Sequence, residues 1–258
     1  MEGSARALAH VTPWMLHLLF FQIAQLGGTL PATRERELSA VVTVGGLCAA
    51  TCEPGEVDFG AGTIVGRSGD GALLVLTAHH VIARVARPRV YVHDESGAQT
   101  SSALWRTGIA HPARVLATSS EDLALLEFWP YPDDHYALAP VAELDDLPHG
   151  GNIVGHPNGA LWTVSPYRLL VDDGETFVVD CPSCGPGDSG GGVFDDAGRL
   201  DGIVVTREVV VHGATQTRSA TTRFRAIARE RLRSFLKLVS TQADAGARAW
   251  RRFATLRG

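Results

Sequence analysis

Gly187-Asp188-Ser189-Gly190-Gly191, set between two apolar stretches, constrains this chain more than any other run in it. Ser189 offers a hydroxyl, which is a weak nucleophile at neutral pH until a base takes its proton. Gly187 lets the backbone turn so that its N–H and that of Ser189 converge on one spot. Two such donors can hold the negative oxygen of a tetrahedral intermediate. Gly190 and Gly191 leave room for a second chain beside the loop. The competing reading is a plain turn between strands, since glycine and serine dominate turns. The loop alone does not choose between them. A working serine needs a histidine, and the histidine needs a carboxylate to fix its tautomer. Both have to be folded in from elsewhere.

Two upstream stretches supply them. Leu73-Leu74-Val75-Leu76-Thr77-Ala78-His79-His80-Val81-Ile82 ends an apolar run in a histidine pair. Ser119-Ser120-Glu121-Asp122-Leu123-Ala124-Leu125-Leu126-Glu127-Phe128 places two acids before another apolar run. The order Thr-Ala-x-His-Val, Asp-Leu-Ala-Leu, Gly-Asp-Ser-Gly-Gly resembles the trypsin/chymotrypsin-like serine peptidases. The Pro-Gly-Asp-Ser-Gly-Gly form is most similar to short bacterial and viral members and to the DegP-like heat-shock proteases. Three motifs in the family's order are far more specific than any one of them. The resemblance spans residues 41–240.

The resemblance implies an all-β fold of two antiparallel Greek-key barrels, chymotrypsin-like, with a C-terminal helix. It implies a serine endopeptidase that hydrolyses peptide bonds through an acyl-enzyme, acting on a protein or peptide substrate with no cofactor. The fourth residue of Thr-Ala-x-His is the base, which selects His80 and turns His79 away from the cleft. The pattern Asp-apolar-Ala-apolar-apolar selects Asp122 over Glu121 and expects it buried, where its effect on His80 is strongest. Ser189 is the nucleophile, and the N–H groups of Gly187 and Ser189 form the oxyanion hole. Two alternatives keep the fold: a catalytically silent binding module, and a viral polyprotein-processing protease.

In trypsins the acid before the serine pairs with a freed N-terminus. Here Val44-Gly45-Gly46 has no basic residue before it, so no such activation is expected. Ser183, six residues before the nucleophile, matches a pocket-floor position and brings no acid to attract Lys or Arg. Val204 sits where glutamate-specific relatives have histidine. Val205, Thr206 and Arg207 would line the cleft edge, with Arg207 either receiving an acidic substrate group or pointing to solvent. A small or apolar side chain before the scissile bond is the expected preference. His156, in Gly155-His156-Pro157-Asn158-Gly159, reads as a turn residue and not a second base.

The chain divides by composition. Residues 1–39 form an apolar segment and an Arg/Glu-rich linker. Short strands of a first barrel follow over 40–128, including one at 104–105. A proline-rich, acidic linker covers 129–151, and the second barrel 152–222. Phe224, Ile227, Ala228, Leu232, Phe235, Leu236 and Val239 step by three or four, so residues 223–258 read as a basic amphipathic helix and tail. The 28 glycines and 13 prolines suit a turn-rich β fold. Residues 14–26 are too short and polar for a firm membrane span. They serve secretion or membrane association, or else pack as a helix on an intracellular protein.

The net charge of −5 argues against wholesale nucleic-acid binding. From residue 218 onward, however, 11 Lys and Arg face 2 acids. That tail either packs with a solvated basic face or contacts an anionic membrane or nucleic acid. Cys48, Cys52, Cys181 and Cys184 have spacings that fit a tetrahedral zinc, disulfides or buried thiols alike.

Overall fold

The computed structural model describes residues 32–49, 53, 55–93, 100–143, 150–212 and 217–241. The apolar segment at 14–26, Cys52 and the basic tail beyond 241 lie outside them. Helix α1 (Ala32–Ala40) runs straight into strand β1 (Val41–Leu47). Residues 33–39, expected as a linker, are helical because Arg and Glu are good helix formers. Glu37 anchors this helix: its side chain is buried and accepts a hydrogen bond from Asn152 Nδ2 at 3.2 Å.

Strands β2 (Val57–Arg67), β3 (Leu73–Ala78), β4 (Arg89–Tyr91), β5 (His111–Thr118) and β6 (Leu123–Phe128) join β1 in a closed barrel. The order around it is β1-β2-β3-β6-β5-β4. A second closed barrel holds β7 (Gly150–Gly155), β8 (Thr163–Asp172), β9 (Thr176–Asp180), β10 (Gly192–Asp195), β11 (Leu200–His212) and β12 (Thr217–Ala228). Its order is β10-β11-β12-β9-β8-β7. The named strands pair antiparallel, and each sheet closes on itself, which removes its edges. The fold is therefore all-β, with two six-stranded barrels.

The strands that carry the site are apolar on both faces. β6 is buried throughout, and β1 is buried except at Leu47. Val42, Val44, Ile64, Leu76, Leu123 and Leu126 belong to one core that also holds Phe194 and Ile203 of the second barrel. Polar groups stitch the barrels together. His156 Nε2 lies 3.0 Å from Thr43 Oγ1 and 3.2 Å from Val42 O, and Trp162 Nε1 donates to Val41 O at 2.9 Å.

Two expectations change. Residues 104–105 are not a strand; they belong to helix α2 (Ser101–Thr107), because Thr100 Oγ1 caps it by accepting from Ala103 N at 3.3 Å. Residues 223–228 are not helical either. They complete β12, paired with β9 and β11, and helix begins only at residue 229. The stepped apolar pattern misled here because Phe224, Ala226 and Ile227 are buried between two neighbouring strands.

The C-terminal helix, α3 (residues 229–241), buries Leu232 and Phe235 against the shared core. Its arginines do not form an open basic face. Arg231 meets Glu175 at 2.5 Å and Glu121 at 3.4 Å, while Arg233 donates to Ala142 O at 2.6 Å and meets Glu143 at 3.2 Å. Arg229 Nη1 donates to Asp201 Oδ1 at 2.8 Å, with both side chains buried. Removing one member of a buried pair strands the other charge. Asp201→Ala is therefore expected to destabilise the protein by about 3 kcal/mol. Asp201→Leu combined with Arg229→Met should cost clearly less. Urea unfolding of both variants checks this; equal losses would mean the pair is not the cause.

Candidate active site

His80 and Asp122 come from the first barrel. β3 ends at Ala78, and the chain turns into a single helical turn, His79–Ile82, that presents His80 at its rim. Asp122 stands just before β6, which pairs with β3 in register, Ala78 opposite Leu123. That register brings residues 80 and 122 together. Asp122 has φ of +63°, a left-handed conformation that Asp tolerates better than most residues. The turn lets it make three contacts at once. Its carbonyl accepts from His79 N at 2.9 Å, Oδ1 accepts from His80 N at 2.8 Å, and Oδ2 faces His80 Nδ1 at 2.7 Å. Contrary to expectation, Asp122 is not buried: its side chain is 36% exposed and that of His80 49%. The pair sits at the barrel rim, where the strand starts, and not within it.

Ser189 comes from the second barrel, on a loop clamped between both. Ser189 O accepts from Ala61 N of β2 at 2.8 Å, and Gly190 N donates to Val204 O of β11 at 2.7 Å. Gly190 has φ of +85°, and a Cβ there would lie 2.0 Å from Ala61 O. Gly187 has φ of +104°, and its Cβ would lie 2.3 Å from His156 O. Both positions therefore demand glycine. The N–H groups of Gly187 and Ser189 donate to no acceptor among the described residues.

One cleft of about 420 Å³ is lined by His80, Asp122, Ser189, Gly185, Pro186, Val204, Val205, Thr206, Arg207 and Phe224. The structure thus brings the three singled-out side chains to one cavity wall. No hydrogen bond joins Ser189 to His80 among the described residues. In unliganded enzymes such bonds are often long and close only around substrate. Val205, Thr206 and Arg207 line the cleft, but Ser183 does not. A disulfide joins Cys181 to Cys184, and Cys184 N donates to Cys181 O at 3.2 Å. This tight turn leaves Pro182 and Ser183 exposed, and Gly185 and Pro186 form the wall. The bridge also overturns the zinc alternative, since Cys48 too is disulfide-bonded. Sequence reasoning missed Gly185, Pro186 and Phe224 as cleft residues. Phe224 was hidden because its apolar spacing read as helix.

His156 is a structural group. It is buried, its Nδ1 accepts from Trp162 N at 3.0 Å, and burial pushes its pKa down to about 4. Asp188 is buried within the nucleophile loop, with no cation beside it among the described residues. Val44-Gly45-Gly46 is mid-strand in β1, paired with residues 58–60. Asp188 Oδ2 instead accepts from Gly185 N at 2.8 Å. Burial pushes its pKa up to about 6, opposed by the N–H groups of Gly185 and His156.

The stability consequence has a definite sign. Between the ordinary value of 3.8 and about 6, folded Asp188 holds a proton that the unfolded chain has lost. Its contribution is greatest below that window and is lost as pH rises through it. Asp201, also raised to about 6 by burial, acts in the same direction, whereas neutral His156 acts in the opposite one. Asp188→Asn is therefore expected to gain on the wild type by roughly 2 kcal/mol between pH 4 and pH 7.5. Urea unfolding across that range tests it, and a pH-independent difference would contradict it.

Residues 60–203, from β2 into β11, match the model of the trypsin-like peptidase domain. The chain belongs to the trypsin-like peptidase family. The matched span includes His80, Asp122 and Ser189. Among solved structures, the trypsin-like domain is similar to the serine endoprotease from Yersinia pestis. The TM-score is 0.57 at 19% identity, covering 81% of this chain and 67% of that one. At that identity the likeness speaks for the fold. No curated protein matches the sequence. A trypsin-like peptidase acts on proteins or peptides, which sets the substrate class in broad terms.

Proposed function

We propose that the protein is a serine endopeptidase working through His80, Asp122 and Ser189. The observation that carries this is the 2.7 Å contact of Asp122 with His80 on the cleft that also holds Ser189. Asp122 Oδ2 accepts a hydrogen bond from His80 Nδ1–H, which leaves the Nε2 lone pair free for catalysis. Ser189 Oγ attacks the scissile carbonyl carbon as His80 Nε2 takes its proton. The new oxyanion is held by the N–H groups of Gly187 and Ser189. His80 then protonates the leaving amine, and the C–N bond breaks to give the acyl-enzyme. Water repeats the sequence: His80 takes its proton, the C–O bond to Ser189 breaks, and Ser189 regains its hydrogen.

The missing Ser189–His80 hydrogen bond favours a second reading, a silent binding module. A fluorophosphonate separates the two. Mass-spectrometric labelling at Ser189, lost in the alanine variant, is the expected result. Folded protein that stays unlabelled would support the module.

A further inference from the structure

The cleft wall carries three ionisable side chains. His80 and Asp122 face each other, so Arg207 is the one without an opposite charge. Its guanidinium is nonetheless fixed. Nε donates to Thr221 O at 2.5 Å, and Cζ lies 5.4 Å from the Phe224 ring centroid. Residues 207 and 224 are direct partners across β11 and β12, which fixes the stack. Nη1 and Nη2 meet no acceptor among the described residues. Nearby acids are engaged elsewhere: Glu208 with Arg225 at 3.6 Å, and Asp180 with Thr222 Oγ1 at 2.5 Å.

We propose that Arg207 selects a substrate with a carboxylate side chain immediately before the scissile bond. This rests on the peptidase reading above. The residue whose carbonyl Ser189 attacks has its side chain nearest to Ser189, and the cleft holding both Ser189 and Arg207 has room for such a side chain. A guanidinium held by its Nε edge still presents Nη donors, and a carboxylate matches their geometry with two charge-assisted hydrogen bonds. Val204 and Phe224, both buried and apolar, line the same cleft and supply no competing side-chain acceptor. An apolar side chain would desolvate Arg207 without pairing it, and a lysine would be repelled. This replaces the small or apolar preference, which leaned on Ser183, a residue not on the wall.

The test uses the full chain and peptides identical except for Glu, Gln, Ala or Lys before the cleaved bond. Glu is expected to exceed Gln in kcat/KM by roughly tenfold or more. That margin should shrink in about 0.5 M NaCl, with Lys poorest. Arg207→Gln should bring the Glu/Gln ratio close to one, and Arg207→Glu should turn the preference toward Lys. A second measurement needs no turnover. Calorimetry with the Ser189→Ala protein compares acetylated product peptides ending in Glu or Gln, and Glu is expected to bind roughly tenfold more tightly. Equal binding, or equal cleavage, of the Glu and Gln peptides overturns the proposal while fluorophosphonate labelling leaves the peptidase standing. Should labelling fail, the peptidase reading falls and calorimetry still decides what Arg207 recognises.

Discussion

Ser189→Ala is expected to lower kcat by roughly a millionfold while leaving the fold intact. The two parts have separate causes. The structural work of residue 189 is done by its backbone, whose carbonyl accepts from Ala61 N at 2.8 Å. The side-chain oxygen makes no hydrogen bond among the described residues, so alanine deletes nothing that the loop needs. The chemical loss is total for the acyl-enzyme route. What persists is slow water attack on a peptide still polarised by the backbone N–H groups of positions 187 and 189, roughly a thousandfold or more above solution. His80→Ala should cost a similar factor, and the double variant little more, because nucleophile and base act as one unit. Steady-state hydrolysis of a fluorogenic peptide, with thermal melting as control, measures all three. A fall of less than about tenfold in a folded Ser189→Ala protein would place the nucleophile elsewhere.

The β fold was legible in the sequence because barrels leave a local signature. Short apolar runs such as 73–78 and 123–128 are strands buried on both faces, and glycine-rich turns bound them. The approach of residues 80, 122 and 189 was legible only through the order of three motifs, since nothing local says that β3 pairs with β6. The sequence misled where one pattern serves two structures. Phe224, Ile227 and Ala228 step like a helix face, yet the strand β12 buries them too. Arg and Glu at 33–39 look like a solvated linker until Asn152 Nδ2 donates to the Glu37 carboxylate. The cleft wall was the least legible part. Whether Ser183 lines it depends on the turn closed by Cys181 and Cys184. The role of Arg207 depends on a cross-strand neighbour, Phe224, that lies 17 positions away in the sequence.

Asp122→Asn should reduce kcat/KM by roughly ten-thousandfold with little change in stability, although it replaces one atom. Asn fits the backbone, since it tolerates the φ of +63° as well as Asp does. Its amide oxygen can keep the bond from His80 N now made to Oδ1 at 2.8 Å. The amide NH2 then faces His80 Nδ1, where Oδ2 stands at 2.7 Å, and donates to it. An imidazole that accepts at Nδ1 carries its proton on Nε2, the nitrogen required to receive the proton of Ser189. The base is present, well placed and in the wrong tautomer. Flipping the amide would return an acceptor to His80 Nδ1, but at the cost of opposing two donors at His80 N, where Oδ1 now accepts at 2.8 Å. The neighbouring acid supplies the control. Glu121 pairs with Arg231 at 3.4 Å, and Glu121→Gln should leave kcat/KM within about twofold. The two variants together decide which carboxylate orients the histidine. Comparable losses in both would mean that neither does so alone, and a large loss in Glu121→Gln only would transfer the role.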